Sequence, residues 1–227
     1  MVYKWLELVQ QHLLPPVCCL CGGPGEAGRD LCAACRRELP RPDPGCRICA
    51  APMAAGDLVC GRCQRQRPAF DGVQALFRYG PPVDRLIQML KFERRLAHAR
   101  LLGDLLAAAM GPDPQRLLLP VPLHPARMRE RGFNQSLELA RRVAHAGGGR
   151  LLPDLAQRVR ATPAQSGLDA RARRRNLRGA FRVAGRAPAQ VTLIDDVMTT
   201  GATVEALART LRRAGAEKVT VWVVARA

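Results

Sequence analysis

The sequence predicts an α/β fold, a mostly parallel and doubly wound sheet preceded by a small cysteine-rich module. Three observations carry that prediction. All nine cysteines of the 227-residue chain lie between positions 18 and 63. Beyond them, short apolar runs alternate with amphipathic helical patterns, the signature of a layered α/β domain. Near the C-terminus a strand, a helix and a strand follow with connections so short that the unit must be a right-handed parallel crossover.

The elements are read in chain order. In MVYKWLELVQQHLLPP, Val2, Trp5, Leu6, Val9 and Leu13 recur at helical spacing, and Pro15 and Pro16 stop the pattern. The segment lacks the long apolar centre and small-residue cleavage site of a secretory signal. No run of 18 apolar residues occurs, so a soluble cytoplasmic protein without a membrane span is expected.

Eight of the cysteines form four Cys-x2-Cys pairs: Cys18 with Cys21, Cys32 with Cys35, Cys46 with Cys49, and Cys60 with Cys63. The second quartet repeats the first at an offset of 28. Thiolates three apart grip one metal from a tight turn, and two such turns complete a tetrahedral site suited to zinc. Disulfides or an iron–sulfur cluster are the alternatives. A chain with no cysteine after residue 63 and no signal sequence disfavours the first, and the absence of a closing Cys-Pro disfavours the second. Two structural zinc ions are therefore expected, with sequential rather than interleaved sites because each local loop closes cheaply. The knuckles are expected to be structural first, though Arg36, Arg37, Arg41, Arg47, Arg62, Arg65 and Arg67 could present a basic face to nucleic acid.

The polar stretch GRCQRQRP marks a boundary, giving residues 1–67 as a helix plus a double four-cysteine module and 68–227 as an α/β domain. FDGVQALFRYG reads as a strand. VDRLIQMLKFE and LAHARLLGDLLAAAM read as helices, LLLPVPL (117–123) as a buried strand, and RGFNQSLELARRVAHA as a further helix. Strands near 180–184, 190–195 and 218–225 complete the inventory, with a helix beginning near Val204 between the last two.

The run VTLIDDVMTTGAT, residues 191–203, carries the chemistry. An apolar strand delivers Asp195 and Asp196 at the carboxyl edge of the sheet, where crevices form in such folds. Thr199, Thr200, Gly201, Ala202 and Thr203 then turn the chain into a helix whose free N–H groups and positive dipole end suit a phosphate. A plain helix cap would need one such residue, not two acids and three threonines around a glycine. A Walker loop is excluded because no Gly-Lys-Ser/Thr occurs.

LIDDVMTTGAT resembles the phosphoribosyl pyrophosphate signature of type I phosphoribosyltransferases. With the Cys-x2-Cys front end, LKF at 90–92, PVPLHPARMRERGFNQ at 120–135, NLRGAF at 176–181 and the final VVAR, nearly the whole chain resembles the ComF family, whose members are associated with natural competence. The resemblance implies a type I phosphoribosyltransferase fold. It implies that phosphoribosyl pyrophosphate, accompanied by Mg2+, is bound by Asp195, Asp196, Val197, Thr199, Thr200, Gly201, Ala202 and Thr203. Pyrophosphate is received by a loop near Leu123–Arg127, with Arg127 and Arg131 as catalytic cations. Arg173 and Asn176 join them from the polar stretch TPAQSGLDARARRRNLRG, which takes the place of a loop that closes over the reacting centre.

In that fold a separate hood selects the acceptor. The chain ends two residues after its final strand, so the cysteine module, with residues 85–100, is expected over the site. The formal charge of +17, nearly all from arginine, favours polyanionic partners. Besides phosphoribosyl transfer, the alternatives are a non-catalytic single-stranded DNA-binding factor acting with other competence proteins, and a nucleobase salvage enzyme. Aromatic residues make up only 4%, which argues against extended stacking platforms for DNA.

Overall fold

In the computed structural model, residues 15–26, 28–53, 58–161, 177 and 179–227 are described. The N-terminal helical pattern and most of the polar stretch containing Arg173 and Asn176 lie outside them.

The front end folds as two copies of one ribbon. Short helices α1 (Ala33–Arg37) and α2 (Gly61–Arg65) occupy matching places, with Cys32 and Cys60 at their N-cap positions. The duplication at 28 reaches individual hydrogen bonds. The Cys18 amide donates to the Gly23 carbonyl and the Cys46 amide to Ala51; Cys19 donates to Asp30 and Arg47 to Leu58. Gly22 adopts φ +75°, and its counterpart Ala50 adopts φ +51°. The knuckle turn thus imposes a left-handed residue even where no glycine stands.

The body is the α/β domain predicted. A five-stranded, wholly parallel sheet has the order β1 (Gly72–Arg78), β7 (Lys218–Arg226), β6 (Gln190–Met198), β2 (Leu117–Pro120), β3 (Arg150–Leu151). Alternate strand residues point to opposite faces. Leu193, Val219, Val221 and Val223 pack with Val204, Leu207 and Leu211 of α7 (Ala202–Arg213). On the other face Leu118, Ile194 and Val224 meet α3 (Val83–Phe92), α4 (Leu96–Met110) and α6 (Gln135–Gly147). The ribbons divide between these layers. Cys18, Leu31 and Leu39 of the first join the α3–α4 cluster, whereas Cys46, Cys49 and Cys63 of the second join the α7 cluster. No helix among the described residues is long and apolar enough to cross a membrane.

Three expectations are corrected. The strand near 180–184 exists as β5 (Phe181–Val183) but pairs antiparallel with β4 (Ala156–Arg158), outside the main sheet. Its buried, exposed, half-buried alternation fits a hairpin with one wet face, not a strand covered on both. The pattern from Arg131 to Ala146 is not one helix. Gly132, at φ +83°, ends α5 (Pro125–Arg131), and Asn134 starts α6 by accepting the Ser136 amide at 3.0 Å. Residues 125–127 consequently form the first turn of α5, with the His124 ring capping Ala126 at 3.2 Å, rather than an open loop.

Candidate functional site

The site forms at the carboxyl ends of β2 and β6. Asp195 and Asp196 are the sixth and seventh of the nine residues of β6, and both are buried, 9% and 3% exposed. Buried carboxylates need partners, and each has one. The Ser136 hydroxyl donates to Asp195 Oδ1 at 2.7 Å, and the Asp196 amide donates to the same oxygen at 3.0 Å. The Lys91 ammonium pairs with Asp196 Oδ2. Asn134 fixes Ser136 in place: while its Oδ1 caps α6, its Nδ2 donates to the Val121 carbonyl at 3.1 Å.

Burial is the main cause that pushes the Asp195 pKa up to about 7, and the neighbouring Asp196 charge adds to it; Ser136 and Lys91 pull the other way. Arg131 lies close by. Burial lowers its pKa, the Asp196 and Asp195 charges oppose that, and Arg127 repels it. Its guanidinium donates to Gln135 Oε1 at 2.7 Å and sits 5.7 Å from the centroid of the Phe92 ring, a residue 73% exposed to solvent. Arg158 of β4 feels the same charges: burial lowers its pKa first, Arg127 second, and Asp195 opposes both. The buried acid pair thus has Lys91 in contact, Arg131 and Arg158 within electrostatic reach, and Arg127 acting on both arginines.

Beyond Met198 the chain turns through Thr199 and Thr200 to Gly201, which is left-handed at φ +75°. A Cβ there would meet Met198 Cε at 2.4 Å, so only glycine fits without displacement. Helix α7 starts at Ala202, two residues earlier than expected, and no side chain caps it from the N-cap residue Gly201. Among the described residues the one side-chain acceptor that a first-turn amide reaches is distant, the Ala202 N–H donating to Thr200 Oγ1 at 3.4 Å. The first-turn N–H groups are therefore available to an anion.

The eight paired cysteines form two sequential clusters, Cys18, Cys21, Cys32 and Cys35, then Cys46, Cys49, Cys60 and Cys63, each with its sulfurs within 4.8 Å of one another. A tetrahedral site with Zn–S bonds of about 2.3 Å places sulfurs about 3.8 Å apart. Cys21 and Cys32 stand at 3.8 Å and Cys49 and Cys60 at 3.6 Å, so both clusters fit a closed structural Zn2+ site. Burial raises the pKa of Cys18 and of Cys46, yet backbone N–H donors from three residues around each bring both down to about 6.

Arg131 lies within electrostatic reach of Asp195, Asp196 and Arg127, and the acid pair leads along β6, through half-buried Val197, into Thr199–Thr203. Sequence reasoning assigned no role to Lys91, Ser136, Asn134 or Arg158. A signal existed for Lys91: it is one of three lysines among 36 basic residues.

An α/β body whose central strand carries buried acids into an uncapped helix start, fronted by a duplicated four-cysteine ribbon, defines the class. Residues 9–64 match the double zinc ribbon domain. The chain is 41% identical over 170 residues to the DNA utilization protein YhgH of Salmonella typhi, covering 70% of this chain and 74% of that one. It is 35% identical over 172 residues to Competence protein F of Haemophilus influenzae, covering 70% and 75%. A purine phosphoribosyltransferase from Pyrococcus horikoshii superposes with a TM-score of 0.29 at 16% identity, over 64% of this chain and 82% of that one. The chain belongs to the ComF family.

Proposed function

We propose that the protein binds phosphoribosyl pyrophosphate where β6 hands over to α7, and works as a phosphoribosyltransferase-like member of its family in the cytoplasmic handling of incoming DNA. One observation carries the reading: between Asp195 and Thr203, a buried acid pair and an uncapped, glycine-started helix turn stand side by side. Carboxylates accept hydrogen bonds from a vicinal diol, and helix-start amides donate to phosphate, so one ribose 5-phosphate satisfies both.

Asp195 and Asp196 then hold the ribose hydroxyls, and Thr199–Thr203 hold the 5-phosphate. Mg2+ arrives with the substrate. Arg127 and Arg131, joined by Arg173 and Asn176, draw charge onto the pyrophosphate as its bond to C1 breaks. A nitrogen nucleophile attacks the cationic C1, and pyrophosphate leaves with the electron pair. The exposed Phe92 ring beneath Arg131 offers a planar acceptor a stacking face. The names of the relatives, DNA utilization and competence, support the DNA-handling context.

The test is calorimetry of the zinc-loaded protein with phosphoribosyl pyrophosphate and Mg2+, followed by a pyrophosphate-release assay against nucleobases and DNA ends. Binding that disappears in the Asp195→Asn, Asp196→Asn double variant supports the reading. Absence of binding overturns it. Binding without release from any acceptor points instead to a sensor that uses its +17 charge to hold single-stranded DNA.

A further inference from the structure

The two ribbons match in backbone but differ in one side chain that faces the body. The first has Ala34 where the second, 28 residues on, has Arg62. From α2, Arg62 Nη1 donates to the Thr200 carbonyl at 2.5 Å. Beside it stands Arg226, at the end of β7 and 8% exposed. Its Nε donates to the carbonyl of the metal ligand Cys49 at 3.1 Å, and its Nη1 reaches the main-chain oxygens of Met198 at 3.0 Å, Thr199 at 2.5 Å and Ala227. The carbonyls of Met198, at the end of β6, and of Thr199 and Thr200 in the loop are thereby held by two guanidiniums, one on the second ribbon and one on β7 that also grips the ribbon at Cys49.

Two features make this more than loop packing. Among the described residues no Asp or Glu side chain pairs with Arg62 or Arg226, although the two cations repel each other. Buried charge of this kind needs a counter-charge. Four thiolates around one Zn2+ would leave a net double negative charge, and Arg226 is held against that set through the Cys49 carbonyl. The second feature is peptide planarity. In a trans peptide the carbonyl of one residue and the N–H of the next point in opposite directions. The Met198 carbonyl stays with the end of β7, whereas drawing the Thr199 and Thr200 carbonyls toward Arg226 and Arg62 turns the N–H groups of Thr200 and Gly201 the opposite way, at the entry to α7.

We infer that Arg62 and Arg226 are positioning residues that tie the second zinc centre to the phosphate-binding loop, while the first centre serves only the fold. The inference rests on the reading of residues 199–203 as the 5-phosphate site.

The experiment uses the full, zinc-loaded chain as wild type, Arg62→Ala, Arg226→Lys and, as a control of equal charge loss on the first ribbon, Arg36→Ala. Zinc content, amide hydrogen exchange of residues 198–203 without ligand, and calorimetry with phosphoribosyl pyrophosphate and Mg2+ are measured on each. Two zinc ions per chain are expected in all four. Arg62→Ala and Arg226→Lys should each speed exchange in that segment, and weaken binding, about tenfold, in line with the loss of one charge-assisted hydrogen bond; Arg36→Ala should alter neither. Unchanged exchange in both Arg62→Ala and Arg226→Lys overturns the coupling. If wild type binds no ligand the functional reading fails, and the exchange comparison still decides whether the ribbon holds the loop.

Discussion

Lys91, in the last turn of α3, places its ammonium against Asp196 in the middle of the parallel sheet. The pair brings a helix end and a central strand together at the mouth of the site. A lysine is a compact point charge on a flexible stem, able to leave one anion for another, whereas an arginine fork is committed to its geometry. In a chain that otherwise uses arginine almost throughout, this choice suits a cation that, under the proposed function, would hold the acid pair until a ligand displaces it.

Lys91→Met should remove the charge that balances a carboxylate with a 5% exposed side chain. The expected cost is about 3 kcal/mol of unfolding free energy at pH 8, the usual consequence of breaking a buried pair by deleting one partner. Urea unfolding of zinc-loaded protein measures it, and an unchanged midpoint contradicts the account.

Asp195 gives stability a pH dependence. Its folded pKa of about 7 lies above the ordinary 3.8, so the native state keeps a proton that the unfolded chain has released. The associated stability is complete below about pH 3.8 and is lost as the pH rises through about 7. Asp195→Asn keeps a side-chain oxygen to accept the Ser136 hydroxyl and cannot titrate. Its unfolding free energy should therefore fall less steeply than that of wild type between about pH 4 and pH 7, as followed by denaturant titration at several pH values.

Gly201→Ala should cost about 1–2 kcal/mol, because a left-handed conformation is strained for any residue with a Cβ. Adding Met198→Ala removes the 2.4 Å contact but not the φ of +75°. The double variant should consequently regain only part of the lost thermal stability, and both should bind phosphoribosyl pyrophosphate more weakly.

Phe92→Ala separates the two halves of the proposed reaction. An exposed ring contributes little to the core, so the melting temperature should stay within a few degrees. The acceptor KM should rise roughly tenfold for loss of one stacking face, with affinity for phosphoribosyl pyrophosphate unchanged. A change confined to the latter affinity would remove Phe92 from the acceptor side.

The long helices were legible because their apolar residues keep the helical period, as in Val83, Leu86, Ile87 and Leu90, and four of the five sheet strands because they are apolar runs; β3, only Arg150–Leu151, and the short helix Pro125–Arg131 were not read, since neither carries an apolar pattern of its own. The metal ribbons were legible because ligand spacing is local. What escaped the sequence was tertiary. Ser136 reads as one more hydrophilic residue in a helix start until the fold sets it 2.7 Å from Asp195, 59 positions away. Arg226 reads as a chain-end charge until its guanidinium is found buried against Cys49, 177 positions distant. The break at Gly132 was missed because the helical pattern was read from Arg131 straight through Gly132 and Asn134, the residues that end one helix and cap the next.

The sheet's order has a consequence for biosynthesis. Among the described residues β1 finds its only ladder partner in β7, with Gly72 opposite Thr220. A nascent chain emerging from the ribosome can load zinc and close its ribbons early, but its first long strand must wait, unpaired, for its last one to be translated.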